Sequence, residues 1–176
     1  MTLPTASLKL TVGALILPAI LWAQLEHPVT GRRIPSIMGP GGAAWLERSE
    51  REIEELPETA LDKIGIRPGV TVADVGAGVG YFSLRLARRV GKEGTVYAID
   101  VQPEMIGMLK ERAAKANLTN IIPVLGSESD PKLPAKSSDL ILLVDVYLEF
   151  SQPQRMLHKI REALKDEGRL VLLEYR

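Results

Sequence analysis

Hydrophobic and polar positions divide the chain into three regimes. Residues 10–25 carry no charge, and their centre reads Val12-Gly-Ala-Leu-Ile-Leu-Pro-Ala-Ile-Leu-Trp22. Residues 26–43 are polar and broken by Pro28, Gly31, Pro35, Gly39, Pro40, Gly41 and Gly42, the composition of a linker or ordered arm. From Ala44 onward the pattern becomes periodic. Ala44–Glu55 is expected to be helical, with Trp45, Leu46, Ile53 and Leu56 spaced to share one face. The intervening Glu47, Arg48, Glu50, Arg51, Glu52, Glu54 and Glu55 read as a solvated, ion-paired face. Pro57 interrupts this helix, and Glu58–Ile64 adds one or two turns.

Beyond Val70, short apolar runs alternate with helical periodicity. The expected strands are Val70–Val75, Thr95–Asp100, Ile121–Leu125, Asp139–Asp145 and Arg169–Tyr175. Helices are expected over Gly80–Val90, Pro103–Ala116 and Pro153–Lys165, with a polar loop at Gly126–Ser138. Most of these strands lack in–out alternation, as when helices cover both faces, and helical crossovers imply parallel pairing with right-handed connections. The fold class is α/β: a doubly wound, mainly parallel sheet. Residues 44–176 form the expected domain.

Residues 1–25 read as a separate signal peptide or membrane anchor. The uncharged run falls short of the roughly 20 apolar residues that span a bilayer. Lys9 precedes it and Ala23 closes it, which suggests cleavage between Ala23 and Gln24. Leu21 fits that cut poorly, so an uncleaved anchor is the alternative. An exported or membrane-anchored protein is expected on this basis. Lysine and arginine total 22 against 22 aspartate and glutamate, so no overall field favours nucleic acid, and no nucleic-acid partner is expected. The Arg32-Arg33 pair reads as solvated. With no cysteine and only His27 and His158 as histidines, a Cys- or His-based metal site is not expected, and a surface position suits His158.

The chemistry concentrates at Val70–Ser83, V-T-V-A-D-V-G-A-G-V-G-Y-F-S. A β-branched strand, a glycine turn and a helix start in that order bring bare backbone and a helix N-terminus to a ligand. Open α/β sheets bind ligands beyond the carboxyl ends of their strands. Asp74, Asp100 and Asp145 all stand at or near such ends, and carboxylates there need polar partners. A dinucleotide fingerprint would place its third glycine at Tyr81, which disfavours a nucleotide-dependent oxidoreductase without removing it.

V-A-D-V-G-A-G-V-G-Y-F-S resembles the D/E-x-G-x-G-x-G motif of class I S-adenosylmethionine-dependent methyltransferases, with Asp74 as the acid and Gly76, Gly78 and Gly80 as the glycines. Y-A-I-D-V-Q-P-E-M is similar to the second motif of that family. D-L-I-L-L-V-D-V-Y-L-E-F and L-K-D-E-G-R-L-V-L-L-E-Y are similar to its fourth and fifth strand segments. W-L-E-R-S-E-R-E-I-E-E resembles the N-terminal helix of bacterial members. The resemblance runs from about Leu56 to Arg176. It implies a Rossmann-like sheet of order 3-2-1-4-5 and S-adenosylmethionine as the cofactor. Gly76, Ala77, Gly78 and Gly80 would let the backbone approach the methionine part, with Asp74 acting through its ammonium group or a water. Asp100 would hold the ribose hydroxyls, Val101 would lie beside adenine, and Ser127, Glu128 and Asp145 would complete the binding walls. The implied reaction is methyl transfer to a small-molecule acceptor.

Three departures from the family pattern bear on function. Ser127 sits where an acid usually contacts adenine, with Glu128 and Asp130 as substitutes nearby. Tyr147-Leu148-Glu149 lacks the histidine found there in related sequences, which leaves Asp145, Tyr147 and Glu149 as candidate catalytic groups. Packing under the loop is the competing reading for Tyr147 and Phe150. The sequence also ends at Arg176 without the family's C-terminal hairpin. That suggests a truncated chain whose fifth strand is an edge open to self-association. A domain that binds the cofactor without catalysing remains an alternative, as does a cytoplasmic location suited to that cofactor.

Overall fold

A computed structural model of the chain describes Glu26 and residues 30–175. The stretch expected to be a signal peptide or anchor lies outside the described residues. Among those described, no helix is long and apolar enough to cross a membrane.

Five strands form one sheet: β1 (Thr71–Val75), β2 (Thr95–Asp100), β3 (Ile121–Leu125), β4 (Ser138–Val144) and β5 (Leu164–Leu173). Their order is β3-β2-β1-β4-β5 and every pairing is parallel, the expected doubly wound topology. The helices are α1 (Ala43–Leu46), α2 (Arg51–Glu54), α3 (Pro57–Ile64), α4 (Tyr81–Val90), α5 (Pro103–Lys115) and α6 (Pro153–Ala163). Alternate residues of the central strands feed two cores. Val72, Val96, Leu140 and Leu142 pack with Leu61, Leu86 and Leu109 on one face. Ala73, Ile99, Ile141 and Leu143 pack with Phe150, Met156 and Ile160 on the other. Pro123 in β3 is tolerated because that strand is an edge and pairs only with β2.

Two expectations are corrected. The helix expected over 44–55 is broken between α1 and α2, so Trp45, Ile53 and Leu56 no longer share a buried face. They are 54%, 82% and 54% exposed. Arg51 and Glu55 are buried in their stead. Their two-pronged ion pair, with both N–O distances 2.7 Å, leaves little unpaired charge to desolvate. Arg51 also lies 4.0 Å over the Tyr81 ring.

The second correction concerns β5, which begins at Leu164, directly after α6, rather than at Arg169. Ser138 pairs with Leu164 and Leu140 with Arg169, so residues 165–168 bulge opposite Asp139. Lys165 bonds Asp139 across 2.7 Å there.

The register also builds the rim of a site. Val75 lies opposite Ile99 and Leu143, and Asp100 lies opposite Leu125. The residues that follow these strands therefore meet at one end of the sheet, around the β1–β4 boundary where strand order reverses.

Candidate functional site

After β1 the chain turns through Gly76, Gly78 and Gly80, all at positive φ. The Gly76 and Ala77 N–H groups both donate to the carbonyl of Ile99, at 2.9 and 2.8 Å, which ties the turn to β2. At Gly76 a side chain has no room, since a Cβ would lie 2.8 Å from Val146 Cβ. Asp100, buried at the end of β2, closes the turn: its Oδ2 accepts the Gly78 N–H at 2.8 Å and its Oδ1 the Gln102 N–H at 2.9 Å. Burial raises the Asp100 pKa, and these backbone donors oppose the shift.

A cavity of about 640 Å³ opens over this rim, within the usual range for small-molecule sites. Asp74, Gly76, Ala77, Gly78, Asp100 and Val101 line it, as do Ser127, Glu128, Asp145 and Glu149. Two candidates stand outside the lining. Gly80 caps α4 in the left-handed conformation, and a Cβ there would press on Leu84 and Leu109 at 2.9 and 3.0 Å. Its part in the structure is the turn and its packing against α4 and α5. Tyr147 packs edge-on against Phe150, with ring centroids 5.8 Å apart, because the short 3₁₀ turn at Tyr147–Glu149 directs Glu149 to the cavity and Tyr147 to the core beneath α6. This matches the packing reading of Tyr147 set beside its catalytic one.

The carboxylates differ in environment. Asp74 is fully enclosed, and burial lifts its pKa to about 6, aided by Asp100 and opposed by the Ser83 hydroxyl, which donates to it at 2.6 Å. Glu149 is raised to about 7 by burial and then by the charges of Asp100, Asp145 and Glu174. Asp145 adopts φ 50°, and burial raises its pKa against the opposing Tyr175 N–H, which donates to Oδ1 at 2.8 Å. Glu128 accepts from Ser151 at 2.7 Å, joining the loop after β3 to the start of α6. His158 is exposed on α6 beside Glu162. Among the described residues, no acidic or histidine cluster has the form of a metal site.

Several site residues escaped the sequence reading. Arg51, Glu55, Ile37, Met38 and Tyr175 all line the cavity. The arm before α1 lies across the cavity mouth. Arg32 donates to the carbonyls of Leu148 and Phe150, and the Gln102 amide donates to the Met38 carbonyl at 2.9 Å. Arg32 is therefore a clasp rather than the solvated residue expected. Of these residues, only Tyr175 had a usable sequence signal, a polar tip near the carboxyl end of a parallel strand.

Fold and rim together define an α/β domain that seats a nucleoside-bearing cofactor at its strand-order reversal. A family model described as a methyltransferase domain matches residues 66–176. The crystal structure of an S-adenosylmethionine-dependent methyltransferase from Aquifex aeolicus aligns with a TM-score of 0.74 at 32% identity, covering 77% of this chain and 72% of that one. The chain belongs to the S-adenosylmethionine-dependent methyltransferase family. Nocamycin O-methyltransferase of Saccharothrix syringae is 33% identical over 112 residues, 64% of this chain and 40% of the relative. The ubiquinone/menaquinone biosynthesis C-methyltransferase UbiE of Laribacter hongkongensis is 29% identical over 117 residues, 65% and 47% respectively. The chain thus spans about half the length, or less, of these curated relatives.

Proposed function

We propose that this chain transfers a methyl group from S-adenosylmethionine to a small-molecule acceptor. The observation that carries this reading is the Asp100 carboxylate, fixed by Gly78 and Gln102 on the wall of the cavity. The backbone N–H groups of Gln102, Gly78 and Val101 act on this carboxylate, and its roughly four acceptor positions leave room for a ribose hydroxyl. The backbone of Gly76–Gly78 and the buried Asp74 suit the methionine part, while Val101, Ser127 and Glu128 suit the adenine side. The sulfonium of the bound cofactor supplies an electrophilic methyl carbon. The chain's contribution is alignment, which can be worth roughly 7–11 kcal/mol of barrier. With that group bound, the chain's residues would align the acceptor with the methyl carbon, and the acceptor's proton would pass to a carboxylate near the end of β4. Glu149, with its pKa raised to about 7, is the proposed base, and Asp145 is a positioning residue held by Tyr175.

Calorimetry of the full chain with S-adenosylmethionine, S-adenosylhomocysteine and NAD tests the reading. Heat from the first two and none from NAD supports it, and silence from both overturns it. Binding without turnover across a broad acceptor panel would instead assign a non-catalytic cofactor-binding domain.

Two finer proposals accompany it. The uncharged run at 10–25 supports export or membrane attachment, testable by fractionating cells that express the full chain. The β5 edge, where Leu172 is 45% exposed, supports self-association, testable by the concentration dependence of sedimentation.

A further inference from the structure

Glu149, the base proposed above, sits on a segment with little rigidity of its own. Tyr147–Glu149 is a single 3₁₀ turn, a form whose hydrogen bonds are poorly aligned. The Glu149 N–H donates to the Val146 carbonyl at 3.0 Å, and the Phe150 N–H to the Tyr147 carbonyl at 3.2 Å. On the core side, Tyr147 and Phe150 pack into the cluster that contains Met156 and Ile160. From the arm, Arg32 holds the backbone of the turn. One guanidinium reaches two carbonyls, donating from Nη1 to Leu148 and from Nη2 to Phe150, the latter at 3.3 Å. These are the residues directly before and after Glu149. The rigid, planar fork of arginine suits two acceptors at once, where lysine would offer a point charge.

The arm that carries this fork is itself fixed. Ile34 is 8% exposed, and the Met38 carbonyl accepts from the amide of Gln102, just after the Asp100 that ends β2. Arg32 therefore reaches the segment after β4 from an arm tied down beside β2. Its action on Glu149 runs through the backbone. The charged groups that act on this carboxylate are Asp100 at the end of β2, Asp145 after β4 and Glu174 after β5, all of them acids. A base must lie within hydrogen-bond reach of the proton it takes, and a misplacement of about 1 Å can cost about a hundredfold in rate. We propose that Arg32 is a positioning residue for Glu149, its fork on the Leu148 and Phe150 carbonyls fixing the carboxylate in the cavity where the acceptor's proton arrives. This rests on the methyl-transfer reading with Glu149 as its base.

The test follows Glu149 by NMR in the full chain, labelled with carbon-13 at the glutamate carboxyl and assigned by the signal missing from Glu149→Gln. Wild type, Arg32→Ala and Arg33→Ala are titrated with pH, and amide exchange is read at Glu149 and Phe150. Charge alone predicts one sign, since removing a cation makes a nearby carboxyl less acidic. Loss of the grip predicts the other, because a released turn exposes Glu149 to water. In Arg32→Ala, Glu149 should become at least about tenfold more acidic, moving from about 7 toward its ordinary 4.5. Exchange at the two amides should quicken by a similar factor. Arg33→Ala removes the same charge from an exposed neighbour and should change neither. An unchanged or less acidic Glu149 in Arg32→Ala overturns the proposal, as does an equal response in Arg33→Ala. Greater acidity with unchanged exchange would make the arm a cover rather than a clamp, and faster exchange throughout the sheet would mean general loosening; both overturn it. Failure of wild type to bind S-adenosylhomocysteine, measured by calorimetry, sinks the methyl-transfer reading instead.

Discussion

The Gly78 N–H donates to the Asp100 carboxylate across 2.8 Å, joining the glycine turn after β1 to the end of β2. The other carboxylate oxygen serves Gln102, so an acceptor is needed on both prongs. Asp100→Asn keeps one acceptor oxygen and turns an amide donor toward one of the two N–H groups. Its expected effect is a loss of cofactor affinity of about ten- to a hundredfold, the scale of a hydrogen bond to a charged group. Titration calorimetry with S-adenosylhomocysteine measures it. An unaltered affinity would remove Asp100 from the binding site.

Gly76 and Gly65 separate backbone strain from crowding. Both have positive φ, 81° and 70°, but a Cβ at Gly65 meets open space whereas one at Gly76 meets Val146. Gly65→Ala should cost about 1–2 kcal/mol, the left-handed penalty alone. Gly76→Ala should cost clearly more in urea denaturation. Adding Val146→Ala should recover part of the difference, and additive effects of the two substitutions would contradict the crowding.

The Arg51–Glu55 pair should be more sensitive to halving than to removal. Glu55→Ala leaves a buried guanidinium without its carboxylate, with an expected cost of about 3–5 kcal/mol. Replacing both residues with methionine and leucine should be far milder, since the desolvation cost of both ions disappears. A thermal melt of the two variants decides it; equal losses would mean that the pair is not the source of the effect.

Glu149 makes stability and activity respond to pH in opposite directions. Its pKa in the folded protein, about 7, lies above its ordinary value of 4.5, so between these values the folded protein holds a proton that the unfolded chain has released. Stability falls as pH rises through that window. The size is on the order of 1 kcal/mol once solvent screening of this half-buried group is allowed for. Glu149→Gln should therefore gain stability relative to wild type between pH 4 and 8. In the base role, the wild-type rate rises as pH passes 7, and the variant should lose that limb of the pH–rate profile. Parallel stability curves for the two proteins would refute the shift.

Local patterns made much of this domain legible in the sequence. The runs at Thr71–Val75, Thr95–Asp100 and Ile121–Leu125 are strands because β-branched and apolar residues cluster between turn residues. The glycine spacing and strand-end acids marked the rim because chain connectivity alone carries them to one end of a parallel sheet. Tertiary contacts decided the rest. Helical spacing put Trp45, Ile53 and Leu56 on one apolar face, but a break after α1 and the ion pair of Arg51 with Glu55 turned them outward. Leu164 could extend α6 or open β5, and pairing with Ser138 chose the strand. Tyr147 and Glu149 are neighbours of similar promise, yet one faces core and the other cavity. The sequence by itself determined the alternation of strands and helices and the glycine-and-acid rim, since both follow from local periodicity and chain connectivity, while the strand order was implied by the resemblance to methyltransferase motifs. The placement of Tyr175, Glu149 and the Arg32 clasp around the cavity was decided only in the tertiary structure, because it depends on side chains distant in sequence meeting over the ends of β4 and β5.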